Sequence, residues 1–363
     1  MHGDDNGMSE ETQQLVDVLD AHRFDEAGLH AYLREQLPEE FGGELAIKQF
    51  QGGQSNPTFL LESGGRRYVL RKKPPGKLLP SAHQVEREYQ VMRALRDTDV
   101  PVPEMLLLCE DDAIIGTPFY VMRFIEGRVY SHPALEEVPK AERRPIFEAK
   151  ADAMARLHNV DYAAVGLADF GKPGNFLGRQ IGRWSKQYEA SKTGDNPSMD
   201  KLMAWLPENI PAGSDETTIA HGDFRLGNLM LHPERPEVVA VLDWELCTLG
   251  HPLSDLAYCC IPYHLPSGLP GIRGLADLDL GELGLPTEQE FVDMYCRKAG
   301  RDNGIQDWPF YTAFALFRLA AILQGVYKRA LDGNAANADA LSVGEGATIL
   351  ADAGWKEAQR LKG

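Results

Sequence analysis

Apolar positions alternate in short runs over roughly the first third of the chain and recur at helical spacing over most of the remainder. The polar stretch from Leu15 to Leu37 reads as a helix. Ala46 to Phe50 and the alternating run Thr58 to Leu61 read as two strands of a hairpin, joined through Gly52-Gly53-Gln54-Ser55-Asn56. Tyr68 to Lys72 reads as the next strand, and alternation places Arg71 and Lys72 on opposite faces of it. Ala82 to Leu95 has helical spacing, with Val85, Glu88, Tyr89, Met92 and Leu95 on one broad face. Glu88 therefore points inward, whereas Glu86 lies well around the helix toward water. Pro118 to Met122 is a compact apolar strand that leads into Arg123-Phe124-Ile125-Glu126-Gly127.

Beyond Gly127 the pattern turns helical. Arg143 to His158 carries Ile146, Phe147, Ala149, Ala153, Met154 and Leu157 at helical spacing, and Trp308 to Tyr327 does the same with Phe310, Phe314, Phe317, Leu319, Ile322 and Leu323. The second of these reads as core. Val238, Val239, Val241 and Leu242 form a short apolar strand, and Ala347 to Leu361 reads as a terminal helix. His264 to Pro286 holds repeated glycines and prolines without an apolar period, which fits either a flap on the acceptor side or a surface insertion. No internal repeat stands out.

Composition narrows the class. With 43% hydrophobic and 25% charged residues the chain is ordinary for a globular protein, and its length is a soft prior for two domains. No apolar run long enough to span a bilayer and no basic, apolar secretory leader is evident, so a cytoplasmic protein without a membrane partner is expected. Five cysteines without paired metal spacing argue against a disulfide framework. A net charge of -17 disfavours nucleic acid as a partner. Arg66, Arg67, Arg71, Lys72, Lys73 and Lys77 nevertheless form a local basic cluster that could meet an anionic ligand or simply be a solvated strand and turn.

The chemistry concentrates in His221-Gly222-Asp223-Phe224-Arg225-Leu226-Gly227-Asn228, followed by Val241-Leu242-Asp243-Trp244-Glu245. Phosphoryl transfer asks a protein mainly to position an acceptor hydroxyl and to neutralise charge with magnesium. Asp223 is suited to orient that hydroxyl and accept its proton. Asn228, five residues later, supplies an amide oxygen, and Asp243 supplies a carboxylate at a strand end. Hard oxygen donors of this kind suit magnesium. Glu245 could reach a second magnesium or form a structural salt bridge.

These motifs resemble the aminoglycoside phosphotransferase family, relatives of protein kinases and choline kinases that phosphorylate small molecules. Gln54-Ser55-Asn56-Pro57-Thr58, Leu70-Arg71-Lys72-Lys73-Pro74-Pro75-Gly76 and Leu242-Asp243-Trp244-Glu245-Leu246 are similar to the kinase-like domain joined to acyl-CoA dehydrogenases in some larger proteins. A dehydrogenase is not expected among these residues. The resemblance, over about residues 25 to 350, implies an α+β, bilobal protein-kinase-like fold with a small antiparallel-sheet N-lobe and a mainly helical C-lobe. The implied organisation is a disordered 1–14, a nucleotide-binding lobe and hinge over 15–125, and a catalytic and acceptor-binding lobe over 126–363.

The resemblance further implies ATP and Mg2+ as cofactors. It places Gln54, Ser55 and Asn56 in the loop over the nucleotide, and Arg71 on its phosphates with Lys72 as the alternative. Glu88 would orient that cation, and the Arg123 carbonyl and Ile125 amide would pair with adenine. His158 and His221 are read as structural supports, and Asp255 as a cap that steadies the catalytic loop. The activity implied is transfer of phosphate to a hydroxyl of a small molecule, with a hydroxyacyl-CoA suggested by the dehydrogenase-linked branch. An aminoglycoside-type kinase and a catalytically inactive nucleotide-binding regulator are the alternatives. Oligomeric state is not legible.

Overall fold

A computed structural model describes residues 14–51, 56–74, 83–268, 273–333 and 343–361. Gln54 and Ser55 lie outside the described residues, as do 1–13 of the expected disordered segment. The chain forms two compact units, each assembled from non-contiguous pieces: 1–131 with 227–247, and 132–226 with 248–363.

The first unit is built on a six-stranded sheet. Its elements in chain order are β1 (Leu15–Val16), α1 (Glu26–Gln36), α2 (Pro38–Phe41), β2 (Leu45–Phe50), β3 (Thr58–Ser63), β4 (Arg66–Lys72), α3 (Val85–Leu95), β5 (Met105–Cys109), α4 (Asp112–Ile115) and β6 (Phe119–Arg123). The strand order is β1-β2-β3-β4-β6-β5, antiparallel throughout. The helix expected from Leu15 begins only at Glu26, where the Asp25 carboxylate accepts the Gly28 amide at 2.9 Å. Leu15 and Val16 are extended instead, pairing with Phe50 and Gln49, because the outer edge of β2 offers them unpaired backbone groups.

Period-two alternation divides this sheet into two faces with different tasks. Phe59, Leu61, Tyr68, Leu70, Phe119 and Val121 pack with Leu29, Leu33 and Phe41 into one apolar cluster. Lys72 shares that face: it is 2% exposed, with its ammonium 5.7 Å from the centre of the Phe24 ring, and burial lowers its pKa. Arg71 therefore points the other way, toward Glu88 of α3.

A short hairpin, Leu229–Leu231 against Val238–Val241, also belongs to the first unit. The Val241 amide donates to the Pro101 carbonyl at 2.8 Å, and Arg128 and Leu231 exchange two backbone hydrogen bonds of 2.8 Å. The units are thus not separated by the single cut expected near residue 125, because backbone pairing carries 227–247 back to the sheet unit.

The second unit is mainly helical: α5 (Lys140–His158), α6 (Phe176–Ser191), α7 (Pro197–Glu208), α8 (Pro252–Cys260), α9 (Leu280–Leu283), α10 (Glu288–Ala299), α11 (Trp308–Leu331) and α12 (Val343–Arg360). A two-stranded ribbon, Thr218–Ala220 against Thr248–Gly250, lies before α8 in the chain. Phe310, Phe314 and Phe317 of α11 are buried, whereas Leu319, Ile322 and Leu323 are half-buried. By length and composition α11 could cross a membrane, contrary to the expectation that no such run exists; 61% of its most apolar window is buried, as in a core helix. Within 264–286, Leu265, Leu275 and Leu285 are at most 4% exposed, so the described part is anchored in the core rather than laid on the surface.

Candidate active site

Arg71 is the centre of the site in the first unit. Its register opposite Thr58 and Tyr120 fixes it in the middle of the sheet, and its guanidinium lies 3.0 Å from Glu88 Oε2 and 3.1 Å from Asp243 Oδ1. Glu88 is 1% exposed, as the helical spacing of α3 predicts for its inward face. Its carboxylate also accepts the Tyr120 hydroxyl at 3.1 Å and the Asn56 carboxamide at 2.9 Å. Burial pushes the Glu88 carboxyl up to about 7, with Arg71 pulling the other way and Asp243 adding to the rise. Burial likewise opposes the charge on Arg71, but Glu88, Tyr120 and Asp243 outweigh it and hold the guanidinium more firmly protonated than usual. Glu86, expected to face water, is instead half-buried and pairs with Lys73 at 2.7 Å.

Asn228 and Asp243 are held at one end of the hairpin. Leu229 pairs with Val241, and the Leu242 amide donates to the Asn228 carbonyl at 2.8 Å, so the two expected metal ligands stand at the open end of the same ladder. Asn228 is 4% exposed, and the Asp243 side chain is 32% exposed. Asp243 has φ +63°, a left-handed conformation that Asp tolerates better than most residues, and it directly precedes the helical turn Trp244–Leu246. The Trp244 indole donates to the Val241 carbonyl at 2.9 Å and locks that turn. Glu245 is close enough to Arg71 and Glu88 to act on both electrostatically. An amide oxygen and carboxylates are the donor set that magnesium takes. Among the described residues no three His, Cys, Asp or Glu side chains gather into a metal cage, and a magnesium bound through a few protein ligands and substrate phosphates needs none.

One expectation for the nucleotide contacts changes in character. Asn56 is fully buried between Glu88 and His83, whose Nδ1 lies 3.0 Å from its Oδ1, so its side chain braces Glu88 instead of facing a ligand. Arg123 spends its guanidinium on Glu40 and Glu104, both at 2.7 Å. Arg123 and Tyr68 hold the Glu40 carboxyl down at about 2. The Arg123 amide donates to the Glu104 carbonyl, while among the described residues the Ile125 amide has no hydrogen-bond acceptor.

In the second unit, Asp223 sits in a loop fixed by its backbone. The buried Asp255 carboxylate accepts the His221 amide at 2.6 Å and the Gly222 amide at 2.9 Å. Burial disfavours its charge, but His158 and these amides prevail and leave its pKa lowered. His158 lies 3.4 Å from Asp255 and 2.8 Å from the Tyr295 hydroxyl, a bracing role, and the His221 Nδ1 accepts the Asp223 amide at 3.2 Å. Gly222 has φ +86°, where a side chain would be strained. Arg225 pairs with Asp223 at 3.2 Å. Tyr258 and Arg318 were not legible as neighbours of Asp223: the Tyr258 hydroxyl faces its carboxylate, and Arg318 donates to the Gly222 carbonyl at 2.8 Å. Their positions on α8 and α11 gave only a core-helix signal.

Comparison with known proteins bears on the family and the fold. The profile described as "Phosphotransferase enzyme family" matches residues 46–311. Acyl-CoA dehydrogenase family member 10 of Mus musculus is 48% identical over 327 residues, covering 90% of this chain and 30% of that protein. Acyl-CoA dehydrogenase family member 11 of Homo sapiens is 41% identical over 350 residues, covering 95% of this chain and 44% of that protein. The chain thus spans less than half the length of these curated relatives. A solved Ralstonia eutropha structure of aminoglycoside-phosphotransferase type superposes with a TM-score of 0.85 at 48% identity, covering 93% of this chain and 99% of that one. A Cryptosporidium parvum choline kinase shares the fold alone, at TM-score 0.60 and 14% identity over 93% of this chain and 95% of that one. The chain belongs to the phosphotransferase enzyme family, with the fold of the small-molecule kinases.

Proposed function

We propose that the protein transfers the γ-phosphate of ATP to a hydroxyl of a small molecule. The observation that carries this reading is the pairing of Arg71 with both Glu88 and Asp243, which joins a candidate phosphate-binding cation to a candidate metal ligand through buried charge. Asn228 and Asp243, with Glu245 beside them, would hold magnesium, which when bound neutralises charge on the transferring phosphate. Arg71 binds nucleotide phosphate, Glu88 fixes its direction, and Asn56 and Tyr120 fix Glu88. The Arg123 carbonyl and the Ile125 amide meet the adenine. Asp223 orients the acceptor hydroxyl and takes its proton, with its backbone held through Asp255.

The dehydrogenase-linked relatives favour a hydroxyacyl-CoA as the acceptor, and the enzyme is proposed to work in the cytoplasm. The deciding experiment is incubation with magnesium and ATP against hydroxyacyl-CoAs, aminoglycosides and small alcohols, with D223N as control and mass spectrometry as readout. A phosphorylated acyl-CoA formed only by the unmodified protein supports the reading. Phosphorylated hygromycin B would move the acceptor to the antibiotic class, and ATP binding without any phosphorylated product would count against transfer.

A further inference from the structure

Arg318 is the one arginine of α11 that reaches the loop carrying Asp223, through its 2.8 Å bond to the Gly222 carbonyl. Its guanidinium carbon lies 5.1 Å from the centre of the Tyr258 ring and 5.8 Å from that of Trp184. Among the described residues no carboxylate stands within ion-pair distance of it, and its Nε is buried without an acceptor. A half-buried guanidinium has lost much of its hydration, and two aromatic faces replace only part of it. Other arginines in the same unit do have an anion: Arg144 has Glu290, Arg156 has Asp152, and Arg301 has Glu216. Further positive charge surrounds the same place. Arg225 bonds Asp223 with its side chain 52% exposed, and Arg183 lies 5.3 Å over the Trp184 ring.

We infer that Arg318 is a specificity residue: it binds an oxyanion, carboxylate or phosphate, carried by the same molecule whose hydroxyl is presented to Asp223. The inference rests on Asp223 being the acceptor-side base. A planar guanidinium, clamped between rings and tied to the loop backbone, offers a fixed direction for oxyanion recognition. The local cations also oppose the chain's net charge of -17, so the anion is drawn to this place and not to the surface at large. A polycationic acceptor would meet repulsion from Arg318 and Arg225.

Binding of 3-hydroxybutyrate, 3-hydroxybutyryl-CoA, 1,3-butanediol and hygromycin B to the full chain with magnesium and AMP-PNP tests this by calorimetry. The acid or the thioester is expected to bind at least about tenfold more tightly than the diol. The ratio should fall toward one in R318Q, with an intermediate value in R318K. Preference for the acid identifies a carboxylate, and preference for the thioester alone identifies the phosphates of the CoA portion. A wild-type protein that does not prefer either anion to the diol, or that prefers hygromycin B, overturns the inference even if R318Q does not fold. So does a folded R318Q with an unchanged ratio. Mass spectrometry of the same mixtures without the analogue but with ATP is read separately: Arg318-dependent binding with no phosphate transfer would remove the kinase reading and leave the oxyanion site standing.

Discussion

Arg71 and Asp243 are 172 positions apart in the chain, yet a guanidinium nitrogen of the first stands 3.1 Å from Oδ1 of the second. The strand that carries Arg71 is central in its sheet, and the hairpin that ends at Asp243 is bonded to the same unit through Pro101 and Arg128. Two rigid backbone supports therefore set the distance. Because Glu88 is buried behind Arg71, the arginine balances a carboxylate with almost no water around it.

Replacing Arg71 by Met should cost about 3–5 kcal/mol of stability, the range for removing one partner of a buried ion pair. The double variant R71M/E88Q should recover part of that loss, since it removes the stranded charge. Urea melts of both variants check the stability. Neither is expected to regain stabilisation by magnesium-ATP, and a shift equal to wild type would contradict the phosphate-binding role.

Asp223→Asn should lower turnover by about 10²–10⁴-fold while leaving ATP affinity within about twofold of wild type. The loop backbone is held by Asp255, so the fold is expected to persist. Comparing kcat with the dissociation constant of ATP separates lost proton transfer from lost nucleotide binding.

His264 lies 3.0 Å from Glu288 and 3.5 Å from Glu357. Burial alone would lower its pKa, but the two carboxylates overcome this and raise it to about 9 from an ordinary 6.5. The folded protein thus holds a proton that the unfolded chain releases near pH 6.5. The stabilisation is complete below that pH and is lost as pH rises through about 9. Its upper limit is about 3 kcal/mol. Melting temperatures between pH 6 and 10 should show a decline that H264Q largely removes.

A Cβ on Gly127 would come within 2.5 Å of the Leu231 carbonyl oxygen and into the Met230 side chain. Gly127→Ala should therefore displace the hairpin from the segment after β6 and cost about 1–3 kcal/mol. A thermal melt reads the loss. A second melt with magnesium-ATP should show reduced stabilisation, because the same hairpin carries Asn228 and Asp243.

Local periodicity made much of the site readable before any tertiary contact was known. Alternation in Tyr68 to Lys72 separated Arg71 from Lys72, and the structure sends Lys72 into the apolar cluster beside Phe24. Helical spacing turned Glu88 inward. The reading of 15–37 as one helix failed because Leu15 and Val16 answer to a distant strand edge, not to their own propensity. The role of Asn56 was missed for a similar reason: a buried polar side chain takes whatever partner folding delivers, here Glu88, 32 positions away.

Residue order by itself pointed to the proposed reaction class, through Asp223, Asn228 and Asp243 at their spacing, and it determined which faces of β4 and α3 point inward, since the latter depends on short-range geometry. Tertiary structure decided the company those residues keep. It returned 227–247 to the sheet unit, gave Arg71 a second carboxylate in Asp243, and set Tyr258 and Arg318 beside the Asp223 loop. Such contacts join segments more than thirty or even a hundred positions apart, and no local period encodes them, because their distances are set by packing between whole elements.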